Sequence, residues 1–255
     1  MPAPSHNNKR TRLDQLLVDR GFVTSRAEAQ RLILAGEVDL AGAGTRTLKP
    51  GQLVASDAQL TLVERPRWAS RGALKLIAAL DAWQIDPSGL ACLDAGASTG
   101  GFTDVLLERG ARIVYAVDVG RGQLIQRLAQ DPRVVSMERT NLRTLETLPE
   151  PIDLATLDLS FIGLRLVLPA VRRLLADHGR VIALVKPQFE AGRADVPRGG
   201  VVRDPSVHQR VLDELAGDAP AAGFELLRWI PSPVTGGDGN VEFLAELRRL
   251  EADGA

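Results

Sequence analysis

From Ala91 onward the sequence alternates short apolar runs with amphipathic stretches of helical period, and no other feature restricts the fold as much. "LACLDAG" reads as a buried strand and "GGFTDVLLERG" as a helix. "ARIVYAVDVG" is a strand, "GQLIQRLAQD" a helix, "IDLATLDLS" a strand, "LRLVLPAVRRLL" a helix and "RVIALVKPQF" a strand. "PSVHQRVLDELAGDA" adds a helix, and "FELLRWIPS" and "NVEFLAELR" are closing strands. Repeating strand–helix units predict an α/β domain with a mostly parallel, doubly wound, Rossmann-like sheet. Such sheets bind ligands beyond the carboxyl ends of their strands. One connection, "QFEAGRADVPRGGVVRD", runs 17 residues from Gln188 to Asp204 without periodicity. A connection of that length in a compact domain is functional or disordered. Its glycines and arginines predict a mobile lid over the substrate.

The first 64 residues follow a different pattern. "TRLDQLLVDRGF" places Leu13, Leu16 and Leu17 on one helical face and stops at Gly21. "TSRAEAQRLILAG" starts at Thr24 or Ser25, has Glu28 three residues after Ser25 as a capping box, and ends at Gly36. "EVDL", "QLVA" and "QLTLV" read as short strands. This predicts a polar, Pro-rich, disordered lead-in over 1–10, a small α+β module over 11–64, a linker over 65–70 ("ERPRWASRG" spans it) and the large domain over 71–250.

Charge divides along the same line. Through Gly72 there are 11 Lys or Arg against 7 Asp or Glu, and beyond it 20 against 25. A basic small module beside an acidic large domain suggests that the module meets an anion such as nucleic acid. Arg12, Ser25, Arg26, Arg31 and Lys49 are its candidate RNA contacts, with Arg71 at the start of the large domain; solvated helix faces are the plainer alternative. No apolar run is long enough to span a bilayer, and "MPAPSHNNKRTR" has no apolar signal segment. The single cysteine, Cys92, lies in an apolar run and reads as a buried structural thiol. These features fit a reducing cytoplasm.

"LDAGASTGGFT" follows the first strand of the large domain and opens a helix, so its amides and glycines face whatever binds there. The spacing is not the G-x-G-x-x-G of dinucleotide sites. Gly96 to Gly100 does match the G-x-S-x-G nucleophile elbow, but only His178 and His208 follow, neither at an evident strand end. S-adenosylmethionine is the better ligand. Asp94 precedes the first glycine by two residues, and Asp118 ends the next strand 24 residues later, where a carboxylate can accept from both ribose hydroxyls. The cofactor would lie against Gly96, Ala97, Ser98, Gly100, Gly101 and Phe102, with Asp94 toward its amino group. A capped turn without a ligand is the plainer alternative.

Charges also end two later strands. Asp158 closes "LATLDLS" and Lys186 closes "VIALVKPQ", while Glu242 stands in "GNVEF" and Lys75 in "SRGALKL". A lysine at the mouth of a buried strand is costly to desolvate. It must also shed a proton before it can act as a base, which burial and a second nearby cation favour. The four residues read as a catalytic cluster in which Asp158 holds Lys186 and Glu242 tethers Lys75; a structural ion-pair network is the alternative. No metal is expected.

The chain resembles the TlyA family, which joins a ribosomal S4-type RNA-binding domain to an FtsJ-like methyltransferase domain. The resemblance runs from about Thr11 to Arg248 and rests on "SRGALKL", "CLDAGASTGGFTDVLL", "DVGRGQL", "DPRVV", "ERTNLR", "LDLSFI", "LVKPQFEAGR", "GGVVRDP" and "GNVEFL". It implies a Lys-Asp-Lys-Glu tetrad at Lys75, Asp158, Lys186 and Glu242. It also implies that the cofactor edge takes in Val119, Glu138, Asn141 and Asp158. The implied activity is S-adenosylmethionine-dependent cytidine-2′-O-methylation of ribosomal RNA, with ribosomal RNA or ribosomal subunits as partners. Some members have been called hemolysins, but no stretch here pairs a wide apolar face with a basic one. A third alternative is an RNA-binding assembly factor with an inactive transferase domain.

Overall fold

The computed structural model describes residues 10–35, 37–41, 48–62, 67–192, 195–236 and 239–251. The chain divides into two compact units, Met1–Arg67 and Trp68–Ala255.

In the first unit, β1 (Arg10–Arg12) leads directly into α1 (Leu13–Asp19), followed by α2 (Arg26–Ala35), β2 (Val38–Leu40), β3 (Leu53–Ala55) and β4 (Leu60–Leu62). The strands form two antiparallel pairs, β1 with β3 and β2 with β4. Leu13, Leu16 and Leu17 pack with Val23, Ala29 and Ile33 in one core. Thr11 and Arg12 belong to β1 rather than to the helix expected there. The turn at 50–52 accepts from the amides of Leu13 and Asp14, which leaves the helix to start at Leu13. Ser25 Oγ accepts from Glu28 N at 3.2 Å, and the Glu28 carboxylate reaches back to Thr24 N at 3.1 Å. That box is one residue wider than the spacing predicted. The expected stop at Gly36, Met1–Lys9 of the lead-in, and Arg65 and Pro66 of the linker lie outside the described residues.

The second unit runs α3 (Ala73–Trp83), β5 (Ala91–Ala95), α4 (Gly101–Glu108), β6 (Ile113–Val117), α5 (Gln126–Ala129), β7 (Val134–Met137), β8 (Ile152–Leu157), α6 (Leu168–Leu174), β9 (Leu175–Val185), α7 (Pro187–Glu190), α8 (Pro205–Asp218), β10 (Phe224–Pro231) and β11 (Phe243–Arg249). One seven-stranded sheet has the order β10-β11-β9-β8-β5-β6-β7. Its strands are parallel from β9 to β7, and β11 runs antiparallel to both β9 and β10. The chain winds outward from β5 through β6 and β7, then returns on the other side through β8 and β9. The switch point therefore falls between β5 and β8, where doubly wound sheets bind ligands.

Continuous apolar strands follow from helices on both faces. Val181, Ala183 and Val185 pack into one core with α6 and α8, while Ile182 and Leu184 pack into the other with α3 and α4. Cys92 is buried in the second core, and burial pushes its thiol up to about 12.

Four elements differ from expectation. The edge strand β7 was not anticipated, because "RVVSM" is short and flanked by charge. The helix expected over "GQLIQRLAQD" shrinks to one turn, since Glu138 accepts from Gly122 N and Gln123 N and holds that segment as a loop. The strand of "RVIALV" starts earlier, at Leu175. The segment from Gln188 is not wholly irregular: α7 takes up its first residues. Near its far end the buried Asn240 side chain accepts from Val202 N and donates to Gly200 O. Asp195, nearer its middle, pairs with Arg210 on α8. Arg193 and Ala194 of the expected lid lie outside the described residues.

Candidate functional site

The carboxyl ends of β5, β6, β8 and β9 gather the charged residues. After β5 the chain turns at Gly96, whose φ is +86° and which lies against the end of β8. A Cβ there would come within 2.4 Å of the Asp158 carbonyl oxygen, so only glycine fits. Asp94 is fully buried just before this turn. Its Oδ2 accepts from Thr103 N at 2.8 Å and Thr103 Oγ1 at 2.6 Å. Its Oδ1 has no partner among the described residues. Burial, opposed by the Thr103 hydrogen bonds and aided by the Asp158 and Asp118 charges, raises the Asp94 carboxyl to about 7.

Two clefts open around this turn. One, of about 450 Å³, is lined by Ser70, Arg71, Lys75, Asp94, Ala97, Gly101 and Phe102 among others. The second, of about 470 Å³, is lined by Asp118, Val119, Asn141, Leu142, Leu159, Ser160 and Phe161 among others. Gly96, Ser98 and Asp158 line both. The volumes are those of small-molecule sites. Asp118 already accepts from Ser98 N at 2.8 Å and Gly120 N at 2.6 Å, one on each oxygen. A carboxylate oxygen has a second lone pair, so both remain able to accept. Asn141 Oδ1 caps the turn at Leu142 by accepting from Arg143 N. Glu138 is committed to the 122–123 loop amides, which hold its carboxyl below the usual range.

The four tetrad candidates form two ion pairs. Lys75 Nζ meets Glu242 Oε2 at 2.5 Å, with both side chains buried. Lys186 Nζ meets Asp158 Oδ1 at 2.6 Å and Ser160 Oγ at 3.1 Å. Lys75 comes from α3, Asp158 follows β8, Lys186 joins β9 to α7, and Glu242 immediately precedes β11. A Cβ at Gly72, one residue before α3, would lie 3.9 Å from Asp158 Oδ2, so the start of that helix approaches the second pair.

Several residues here were not singled out from the sequence. Phe161 is 90% exposed at φ +64°, an unusual conformation for a bulky residue, and its ring lies 5.0 Å from that of Phe189. Lys186 Nζ stands 6.0 Å from the Phe189 centroid. Glu190 accepts from Leu164 N, and burial raises its carboxyl to about 7. "LDLSFI" and "LVKPQFE" contain all of them, but only the strand-end charges drew notice. His208, weighed as a triad member, is buried on α8 and bonds to Val202 O at 2.9 Å.

In the first unit, Arg12 and Arg26 both grip the fully buried Asp14, at 2.8 and 3.1 Å, and Gln30 adds a third donor at 3.0 Å. Their side chains remain 47% and 49% exposed. Arg31 and Lys49 are exposed, and so is Ser25. Arg71 belongs to the second unit.

A doubly wound sheet with an acid-flanked glycine turn and a strand-end acid on the next strand defines a Rossmann-like methyltransferase domain. Residues 68–249 match the FtsJ-like methyltransferase model, and residues 11–42 match the S4 domain. The chain is 46% identical to the 16S/23S rRNA (cytidine-2′-O)-methyltransferase TlyA of Mycobacterium tuberculosis, over 94% of this chain and 90% of that protein. It is 47% identical to the candidate rRNA methyltransferase YqxC of Bacillus subtilis, over 94% and 86%. A solved structure of a candidate hemolysin from Streptococcus thermophilus superposes with a TM-score of 0.72 at 43% identity, over 96% of this chain and 90% of that one. The chain belongs to the TlyA family, in which an S4 domain precedes an FtsJ-like methyltransferase domain.

Proposed function

We propose that this protein uses S-adenosylmethionine to methylate the ribose 2′-hydroxyl of a cytidine in ribosomal RNA, in the cytoplasm. The observation that carries the reading is the Lys186–Asp158 pair, set beside two clefts that share Asp158, Gly96 and Ser98. The cofactor has two polar ends, and the residues present suit both. The unpartnered Asp94 Oδ1 faces the need of an amino group, and Asp118 has acceptor capacity left for ribose hydroxyls. Val119, Asn141 and Leu142 line the cleft beyond Asp118. When bound, S-adenosylmethionine supplies an electrophilic methyl group.

The chain's own residues do the rest. A ribose hydroxyl is a poor nucleophile until its proton leaves, and Lys186 Nζ takes that proton when neutral. Asp158 orients the amine, and Glu242 holds Lys75, which lines the first cleft. Phe161 offers an exposed ring face at the same mouth, the kind of surface on which an unstacked base rests. Arg12 and Arg26 with Arg31 and Lys49 supply phosphate contacts in the S4 unit. Mapping 2′-O-methyl positions in ribosomal RNA from cells with and without the protein tests the reading. A cytidine that loses its methyl group without the protein and regains it with the wild type, but not with Lys186→Ala, supports it. An unchanged methylation map would favour an RNA-binding assembly factor, and lysis of red cells by the purified protein would favour the hemolysin alternative. Among the described residues no helix is long and apolar enough to cross a membrane.

A further inference from the structure

Ser160 stands two residues beyond Asp158 and touches the same amine. Its Oγ accepts from Lys186 Nζ at 3.1 Å, while Asp158 Oδ1 lies at 2.6 Å. A neutral primary amine has two N–H bonds and one lone pair in a tetrahedral array. With one N–H on Asp158 and the other on Ser160, the lone pair has a single direction left. Asp158 alone does not fix it, because rotation about Cε–Nζ can keep the first hydrogen bond while exchanging the lone pair with the second hydrogen.

The loop that carries Ser160 is fastened to the element that carries the lysine. Phe161 sits at φ +64° with its ring against Phe189, and Glu190 accepts from Leu164 N at 2.9 Å through Oε1. Phe189 and Glu190 form the turn after Lys186, with both amides bonded to the Lys186 carbonyl. These contacts tie the loop that bears the hydroxyl to the turn that follows the amine.

We propose that Ser160 is a positioning residue for methyl transfer, its hydroxyl acting with Asp158 to aim the Lys186 lone pair at the substrate hydroxyl. The inference rests on Lys186 being the base. Single-turnover methyl transfer to unmethylated ribosomal subunits, measured with the full-length protein at saturating cofactor, tests it through Ser160→Ala, Ser160→Thr and Lys186→Ala. Ser160→Ala should slow the step roughly 2- to 12-fold, the worth of one hydrogen bond, with subunit affinity unchanged and cofactor held at saturation. Ser160→Thr, which keeps the hydroxyl, should return the rate to within about twofold of wild type, well inside that one-bond range. A wild-type rate in Ser160→Ala, a loss that threonine does not restore, or a loss that appears as weaker substrate binding overturns the inference. Each of these leaves the base assignment standing if Lys186→Ala is inactive. An active Lys186→Ala protein overturns the base assignment itself.

Discussion

Lys75 and Glu242 meet at 2.5 Å across 167 positions of sequence, and both side chains are almost wholly buried. Removing one partner strands the other charge in a nearly buried site, which costs up to roughly 3–5 kcal/mol and less where the cleft beside Lys75 admits water. Glu242→Gln should therefore lower the melting temperature markedly and abolish methyl transfer. The double variant Lys75→Met, Glu242→Leu should regain much of the stability without regaining activity. Calorimetric melting with a methyl-transfer assay checks both, and a Glu242→Gln protein as stable as wild type would deny that Lys75 depends on this carboxylate for its counter-charge.

Lys186→Arg keeps a cation beside Asp158 but removes a base, because arginine does not deprotonate in proteins. It should bind cofactor normally and transfer no methyl. Near-normal turnover at saturating RNA and cofactor would mean that position 186 supplies only charge.

Asp118→Ala should cost about 1–3 kcal/mol of cofactor affinity. Part of that loss reflects Ser98 N and Gly120 N, which both bond to this carboxylate. Asp118→Asn, which keeps one acceptor oxygen, should lose less. Titration calorimetry separates the two, and unchanged affinity in a folded Asp118→Ala protein would remove Asp118 from the cofactor site.

On the proposed cofactor pose, Asp94 should give cofactor binding a pH dependence. Its free-protein carboxyl sits near 7, raised chiefly by burial, and an ammonium group binds its ionised form. Affinity should fall by about tenfold per pH unit below that value, as a proton must be displaced, and fall again above about pH 8, where the ligand's own amino group loses its proton. Asp94→Asn should bind more weakly and lose the slope. A wild-type affinity that is flat through this range would mean that Asp94 does not meet the charged end of the ligand.

The Arg12–Asp14–Arg26 cluster makes two measurements diverge. Neutralising both arginines should flatten the salt dependence of RNA binding by about two units. Arg12 is the main cause holding the Asp14 carboxyl well below its ordinary range, with Gln30 and Arg26 adding to it. Its stabilising contribution is present above the unfolded value, about pH 4, and is lost as pH falls further. Acid unfolding of the first unit should thus begin lower in wild type than in an Arg12→Gln, Arg26→Gln protein. An unaltered salt slope would take both arginines off the RNA.

The parallel core was legible because strands covered on both faces read as unbroken apolar runs, and the charges at 158 and 186 stood out against them. What escaped notice had weaker local signals. The four-residue β7 lies among charged neighbours at the sheet edge, and the longer helix expected around α5 is cut to a single turn by Glu138 binding amides fifteen and sixteen residues upstream. Ser160 and Glu190 make loop contacts between segments 26 residues apart, which no periodicity encodes. Arg12 and Arg26 looked like free surface cations, and only the fold reveals the carboxylate they share.

The strand order has a consequence for synthesis. Among the described residues β11 is the last strand in chain order, yet it lies inside the sheet between β9 and β10, and Glu242 immediately precedes it. Until β11 is made the nascent domain has an open seam and Lys75 lacks its counter-charge. The Lys75–Glu242 pair therefore forms in the same event that closes the sheet, and on the proposed mechanism a chain that still lacks β11 should transfer no methyl group even with Lys186 in place.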